Sequence, residues 1–329
     1  METITIRNAE SESADNALAS IENINQALTD TLSDSRGIIG EICRNLLKAG
    51  GKRIRPLLTI HSGLIFGGPT RDLLDAALAM ELVHMASLIH DDIIDESSLR
   101  RNQPSVNRLW GNQAAVLGGD YLFAKAFSVL AEKNLIFNLN LTVQAIQAMC
   151  EGEINQAAEK FKLDLTKEEY VERIVQKTAV LLQCSCKSGA FIGAATQTQI
   201  EQIGGYGLNL GIAFQIVDDI LDFLGDSAVM GKPKHEDLTQ GNLTLPAFLL
   251  LEHPQHGPWF KDLIGRKRFS MEELAQVDKI LAGTGMIQKS FAIANSYIEK
   301  AKQCLAGLPD NSERATLMEM ADKLKKRTC

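Results

Sequence analysis

The chain has 329 residues, of which 45% are hydrophobic and 23% charged, a composition typical of globular proteins with a sizeable core. Its net charge of −7 argues against a nucleic-acid-binding protein, because phosphate contacts along a nucleic acid need clustered positive charge. The low content of proline (8 residues) and aromatic residues (5%) favours an all-helical chain over a sheet-rich one.

The N-terminal segment has no basic region followed by an apolar run, so we expect no secretory signal. We also expect no apolar stretch of the ~20 residues that span a bilayer, which leaves at most peripheral membrane contact. The six cysteines include no Cys-x-x-Cys pair. They are interpreted as reduced, mostly buried thiols of a cytoplasmic protein.

Taken in chain order, the sequence predicts a flexible polar tail over residues 1–15 and one domain of ten or more helices over residues 16–329. Glycine and proline predict breaks between helices at residues 50–51, 67–69, 204–205, 231–241 and 253–258. No segment shows the alternation of a β-strand.

Two of the predicted helices carry the same acidic motif, Asp-Asp-x-x-Asp. In the first, over residues 73–98, an apolar stripe covers one face, formed by Leu78, Leu82, Met85, Ile89 and Ile93. The opposite face carries His84, Asp91 and Asp95. In the second, over residues 205–224, four polar residues share an arc of ~100°, namely Gln215, Asp218, Asp219 and Asp222.

Carboxylates four residues apart on a helix repel each other, so a fold that places them there twice is expected to hold a cation between them. Oxygen ligands of this kind suit Mg²⁺, and no Cys or His pair has the spacing of a zinc site. A single motif of this kind would fit a solvated surface about equally well. The repetition favours two motifs that face each other across a cleft.

Three short basic segments lie before or beside these motifs. Each offers side chains that could bind phosphate. They are residues 50–56 (GGKRIRP), residues 100–101 (RR) and residues 231–234 (GKPK). Each segment alone would be ordinary solvated surface. Their placement beside the acidic motifs favours a site for phosphate esters.

With these segments the sequence resembles the trans-prenyl diphosphate synthases, the polyprenyl synthetase family. The matching segments occur in the family's order: GGKRIRP (50–56), ELVHMASLIHDDIIDESSLRRNQPS (81–105), GEINQ (152–156), QKTA (176–179), FQIVDDILDFLGD (214–226) and GKPKHEDLTQGNLTLP (231–246). The resemblance implies an all-α, single-domain isoprenoid synthase bundle around a deep central cavity. It also implies a homodimer, or a heterodimer with a small regulatory subunit as in some relatives.

The resemblance implies a role for each matched residue. Three Mg²⁺ ions would be held on the allylic diphosphate by Asp91, Asp95, Asp218 and Asp222. The same diphosphate would be contacted by Arg100, Lys177, Gln215 and Lys232. The residues beside the scissile bond would be Lys177, Thr178 and Gln215. The diphosphate of isopentenyl diphosphate would be bound by Lys52, Arg55, His84 and Arg101.

Product length is predicted from two small residues one turn before Asp91, Ala86 and Ser87. In short-chain members of the family, bulky aromatic residues near these positions close the product tunnel. The small residues here therefore predict a hexaprenyl to octaprenyl product for a quinone side chain. The alternative is that both are simply small residues at a helix–helix contact.

Asn242 departs from the family pattern, because many members have lysine before Thr-Leu-Pro. Some longer-chain members share this asparagine, so we do not interpret it as loss of activity. The alternative functions are a farnesyl or geranylgeranyl diphosphate synthase, a terpene cyclase-like or head-to-head coupling enzyme, and a non-catalytic regulatory subunit. GGKRIRP, as a second diphosphate site, argues against a cyclase, and intact aspartates argue against a non-catalytic subunit.

Overall fold

A computed structural model describes residues 20–101, 103–225 and 234–325. These residues form fifteen α-helices, one π-helix and a single two-stranded ribbon, which confirms the predicted all-α fold. The tail predicted at residues 1–15 lies outside the described residues.

The first half of the chain forms α1 (Ile21–Leu32), α2 (Gly37–Ala49), α3 (Ile54–Leu64), α4 (Thr70–Ile94), the antiparallel strands β1 (Leu99–Arg100) and β2 (Gln103–Pro104), α5 (Val106–Glu132) and α6 (Ile136–Ala158). The second half forms α7 (Lys167–Ile174), the π-helix Val175–Ala179, α8 (Val180–Ile192), α9 (Gln197–Leu224), α10 (Glu236–Gln240), α11 (Leu245–Leu251), α12 (Gly257–Gly265), α13 (Met271–Gly283), α14 (Met286–Leu305) and α15 (Ser312–Lys325).

The chain forms two compact units. Of the described residues, the first unit contains 20–101, 103–140, 185–200 and 311–314. The second unit contains 141–184, 201–225, 234–310 and 315–325. The single domain over residues 16–329 stays a prediction.

Helix α4 is the central helix of the first unit. Its predicted apolar stripe is buried at Leu78, Leu82 and Ile89, but every residue from 76 to 83 is buried as well. A helix that is apolar on all sides belongs in a core rather than at a surface. Helix α3 packs closely against α4. A Cβ added to Gly63 of α3 would lie only 2.1 Å from Leu73 Cδ2 of α4, so there is no room for a side chain at this position.

Helices α4 and α5 are long and apolar enough, by length and composition, to cross a bilayer, with windows of mean hydropathy 1.4 and 1.3. The expectation that no apolar stretch has this length is therefore wrong for these two helices. In α4, 67% of the most apolar stretch of 18 residues is buried, as in the core helix of a folded protein, whereas 33% of the corresponding stretch of α5 is buried.

The observed extent of helix α9 shows that one predicted break is wrong. A break was expected at residues 204–205, but both glycines lie inside the helix, which begins at Gln197. A Cβ on Gly205 would lie 3.0 Å from Cys304 Sγ on α14, so this glycine allows two helices to approach closely. The breaks predicted at residues 50–51, 67–69 and 253–258 are confirmed.

The cysteines that the structure describes are free thiols. Three of these five are buried, namely Cys43, Cys184 and Cys186. The interpretation as reduced, mostly buried thiols agrees with this.

Candidate active site

The first acidic motif lies at the C-terminal end of α4, where the helix gives way to the β-ribbon. Asp91 and Asp95 are half-buried, whereas Asp92 between them is buried. The Asp92 carboxylate binds Arg100, whose Nε and Nη2 lie 2.7 Å and 2.6 Å from its Oδ1. Burial raises the pKa of Asp92, and the contact with Arg100 offsets part of that effect. Asp92 therefore fixes the position of Arg100 beside the motif.

A cavity beside this motif is lined by basic side chains of the first unit. Predicted site residues His84, Arg100 and Arg101 all line it. Arg101 also donates to the Gly50 carbonyl, which ties the β-ribbon to the end of α2. The structure therefore brings the Gly50–Gly51 turn and the Arg100–Arg101 pair close to one cavity.

Burial and the neighbouring arginines together set the protonation state of His84. Burial lowers the pKa of His84 well below its usual range, and the nearby arginines lower it further, led by Arg55 and Arg101. The imidazole is therefore neutral at physiological pH. Burial also lowers the pKa of Arg55 to about 10, although Glu81 and Asp91 oppose the shift, so Arg55 stays charged. Lys52 is exposed in the preceding turn.

The sequence did not single out Arg53 and Glu81, which form a buried ion pair here. Arg53 Nη1 lies 2.6 Å from Glu81 Oε1, and its Nε donates to Asn25 Oδ1 over 2.7 Å. The backbone of Arg53 is left-handed, with φ of 50°, at the start of α3. A glutamate inside the otherwise apolar run of residues 76–83 in α4 was the available signal, because a buried charge needs a partner.

The second acidic motif lies near the end of α9, in the second unit. Asp218 and Gln215 are half-buried, whereas Asp219 and Asp222 are buried. The opposite face is buried too, so the motif does not form the solvated face that a surface helix would show. Among the apolar residues of that face, Ile216, Val217 and Ile220 are buried, Leu221 is half-buried and Leu224 is 49% exposed.

Lys177 and Thr178 lie on the π-helix between α7 and α8. Such widened turns often occur at functional sites. Lys177 Nζ lies 2.9 Å from Glu153 Oε2, and the Thr178 hydroxyl donates to Gln215 Oε1 over 2.7 Å. A second cavity, in the second unit, is lined by all three predicted catalytic residues, namely Lys177, Thr178 and Gln215.

Asp219 is the buried centre of this second cavity. Its Oδ2 accepts from the Tyr170 hydroxyl over 2.6 Å, and its Oδ1 accepts from Gln215 Nε2 over 2.9 Å. Burial, with the charge of Asp237 nearby, raises the pKa of Asp219 to about 7. Burial and Asp219 raise the pKa of Tyr170 well above its usual range, so the phenol stays protonated.

Three residues of this cavity were missed, namely Tyr170, Arg173 and Asp237. Asp237 lies within the matched segment 231–246, and the other two lie just before QKTA, so position relative to the motifs was the available signal. Asn242 also lines the cavity and is buried. Arg173 therefore supplies positive charge to the cavity in which Asn242 is neutral.

The segment after the second motif is anchored by α13. His235 has φ of 62°, a left-handed conformation that few residues other than glycine adopt. Its Nε2 lies 2.8 Å from Asp278 Oδ1, and Lys234 Nζ lies 2.7 Å from Asp278 Oδ2. The backbone N–H of His235 donates to the Asp222 carbonyl over 3.0 Å. These contacts hold the chain that leads to Asp237.

Lys232 lies outside the described residues. Of the two residues predicted to set product length, Ala86 has no exposed surface, whereas Ser87 is half-buried and donates to the His84 carbonyl over 2.9 Å. Ser87 is therefore the stronger candidate to line a tunnel.

The carboxylates fit a hard cation that shares its ligands with phosphate. Across the described ranges, no three His, Cys, Asp or Glu side chains are grouped so as to hold a metal by themselves. Mg²⁺ does not need such a cage, because it keeps several waters and binds through one or two carboxylates together with substrate phosphates. The pairs Asp91/Asp95 and Asp218/Asp222 match that requirement. That both motifs bind the same set of ions stays a prediction.

Comparison with known proteins decides the family. The family model described as polyprenyl synthetase matches residues 36–281. The chain belongs to the polyprenyl synthetase family. This confirms the predicted family and the class of enzyme, a prenyltransferase that makes trans-prenyl diphosphates.

Two curated relatives of this polyprenyl synthetase family member differ in the product that they are named for. Heptaprenyl diphosphate synthase component 2 of Geobacillus stearothermophilus is 36% identical over 312 residues, covering 94% of this chain and 95% of the relative. Geranylgeranyl diphosphate synthase of Saccharolobus solfataricus is 34% identical over 304 residues, covering 90% of this chain and 91% of the relative.

A solved structure, the polyprenyl synthase of Caulobacter crescentus complexed with calcium and isoprenyl diphosphate, matches with a TM-score of 0.88. It is 33% identical in sequence, and the match covers 97% of each chain. The fold of this family member is therefore that of a trans-prenyl diphosphate synthase over its whole described length.

Proposed function

We propose that this prenyltransferase condenses isopentenyl diphosphate with an allylic diphosphate and stops at a hexaprenyl to octaprenyl product for a quinone side chain. The observation that carries the proposal is the cavity of the first unit, where Arg100, Arg101 and neutral His84 lie together with Asp92 of the first acidic motif. Such a cavity offers an anion site next to carboxylates that suit a cation, which is what a diphosphate substrate requires.

The names of the relatives bracket the product. The heptaprenyl synthase component supports the medium-chain product, and the geranylgeranyl synthase keeps a shorter product as the alternative. The word "component" in the first name supports a heterodimer with a small subunit as the alternative to a homodimer. We also propose a cytoplasmic protein with at most peripheral membrane contact, through which a long product would leave.

Isopentenyl diphosphate would be held by the first basic cluster, which consists of Lys52, Arg55, His84 and Arg101. The arginines supply charge, and the neutral imidazole donates one hydrogen bond without adding to the repulsion among them. A terpene cyclase binds one diphosphate and has no use for this second anion site. This cluster therefore favours chain elongation over cyclisation.

The allylic diphosphate would be held by Arg100, Lys177, Gln215 and Lys232, with Mg²⁺ on Asp91, Asp95, Asp218 and Asp222, three ions per site. Mg²⁺ supplies charge neutralisation where the pyrophosphate departs. Lys177 and Thr178 on the π-helix, together with Gln215, orient the carbon–oxygen bond that breaks. The double bond of isopentenyl diphosphate then attacks the allylic cation, and the proton passes to the released pyrophosphate, so no protein nucleophile is needed.

Product length tests this proposal directly. The wild type, given farnesyl and isopentenyl diphosphates, should yield hexaprenyl to octaprenyl products on chromatography after dephosphorylation. Ser87→Phe and Ala86→Phe should shorten the product, because one helical turn of ~5 Å is comparable to one isoprene unit. Ser87→Ala, which removes the hydroxyl without adding bulk, is the matched control and should leave the length unchanged.

A wild type that stops at farnesyl or geranylgeranyl diphosphate would overturn the proposed product class. Two phenylalanine variants with unchanged product length would show that this part of α4 does not line the tunnel. Of the two, Ser87→Phe is the safer test, because Ala86 is fully buried and added volume there would strain the core.

A further inference from the structure

A continuous chain of hydrogen bonds crosses the cavity of the second unit. It runs from the Tyr170 hydroxyl to Asp219, from Asp219 to the Gln215 amide, and from that amide to the Thr178 hydroxyl. The three links measure 2.6, 2.9 and 2.7 Å. All four residues line the cavity, but Tyr170 and Asp219 are buried, whereas Gln215 and Thr178 are half-buried. The chain therefore has an inner end and an outer end.

The direction of every bond follows from the inner end. The phenol donates to Asp219 Oδ2, so the carboxylate is held with Oδ1 turned toward Gln215. In the ionised form of Asp219, Oδ1 accepts from the amide nitrogen, which fixes the amide with its Oε1 toward Thr178. Thr178 must then donate its proton to Oε1, and its lone pairs are directed elsewhere. One buried hydroxyl thus sets the orientation of two residues of the cavity.

We propose that Tyr170 is a positioning residue for prenyl transfer, which fixes the orientation of the Gln215 amide and the Thr178 hydroxyl through Asp219. The proposal rests on the proposed function of this cavity in holding the allylic diphosphate. Tyr170 itself is not a catalytic residue, because Asp219 and Gln215 stand between it and Thr178. Asp219 links the two, because it accepts from both the Tyr170 hydroxyl and the Gln215 amide.

The loss of the phenol hydroxyl would release this arrangement. Without it, Asp219 Oδ2 loses a donor in a buried place, and the carboxylate can turn about its Cβ–Cγ bond to find another. Gln215 would then lose the partner that distinguishes its nitrogen from its oxygen, so both amide orientations would be populated. A misoriented amide would present the wrong group to the departing diphosphate.

The experiment compares Tyr170→Phe with Tyr206→Phe. Tyr206 is an equally buried tyrosine of the same unit, and its hydroxyl donates to the Leu317 carbonyl over 2.7 Å, so its variant loses a similar hydrogen bond elsewhere. Steady-state kinetics with farnesyl and isopentenyl diphosphates should show a fall in kcat of roughly 10- to 100-fold for Tyr170→Phe, since small misplacements cost that much. The KM for isopentenyl diphosphate should stay within about twofold, and the kcat of Tyr206→Phe should also stay within about twofold.

A double-variant cycle separates positioning from a general structural role. In a Gln215→Ala background there is no amide to orient, so adding Tyr170→Phe should lower kcat no further. Thermal unfolding monitored by circular dichroism should show similar shifts for Tyr170→Phe and Tyr206→Phe.

Equal kcat values for the two phenylalanine variants would overturn the inference. So would an undiminished effect of Tyr170→Phe in the Gln215→Ala background. An inactive wild type would overturn the proposed function, and this inference with it, whereas an active wild type with either of the first two results overturns the inference alone.

Discussion

The buried ion pair between Arg53 and Glu81 offers the sharpest test of how the first unit is held together. The two charges are 2.6 Å apart, and their side chains are only 2% and 4% exposed. Glu81→Gln would remove the negative charge that faces the buried Arg53 guanidinium and leave it with neutral acceptors, among them Asn25. Breaking a buried pair in this way costs about 3–5 kcal/mol. Because the Asn25 contact remains, we expect the lower end of that range.

Thermal denaturation followed by circular dichroism measures this effect. A loss of about 3 kcal/mol corresponds to a fall in Tm of roughly 6–12 °C for a unit of this size. Glu299→Gln is the matched control, because its ion pair with Lys325 is about half exposed on both sides. Exposed pairs contribute about 0–1 kcal/mol, so the control should barely move. A Tm shift for Glu81→Gln no larger than that of Glu299→Gln would refute the reasoning.

Two further predictions concern the acidic motif and the segment that follows it. Asp91→Asn and Asp218→Asn should each lower turnover by about two orders of magnitude or more with an unchanged circular dichroism spectrum, because a ligand for the transition-state charge is lost. EDTA should abolish activity, and full turnover in EDTA would contradict a metal requirement. For His235, the alanine variant should be less stable than the glycine variant by about 1 kcal/mol in urea denaturation, because φ of 62° strains any Cβ. A more stable alanine variant would show that this backbone carries no strain.

The sequence predicted the all-α fold and the position of both acidic motifs on long helices, because periodicity and local motifs report on single helices. It misplaced the break at residues 204–205, since a glycine pair in a helix looks like a turn until the helix that packs against it is known. Gly205 is small because Cys304 approaches it, and that contact is about a hundred residues away in the chain.

The buried partners of the site could not be predicted for the same reason. Nothing in the segment GGKRIRP distinguishes Arg53, which is buried against Glu81, from Arg55, which neighbours His84. Tyr170 likewise precedes the QKTA segment without any local sign that its hydroxyl meets Asp219, 49 residues later. Which charge faces a substrate and which serves the fold depends on long-range contacts, whereas the chemistry of the side chains alone was enough to indicate a phosphate and cation site.

The burial of α4 on every side limits how its acidic end can respond to a substrate. A helix enclosed in this way cannot slide or rotate without opening the packed interior around it. Asp91 lies within the helix, whereas Asp95 at its C-cap leaves helical geometry with φ of −87° and ψ of 3°, and Glu96 follows with φ of 50°. The two ends of the motif therefore differ in backbone geometry. A ligand that binds both would meet one carboxylate on the helix and one at the turn that ends it.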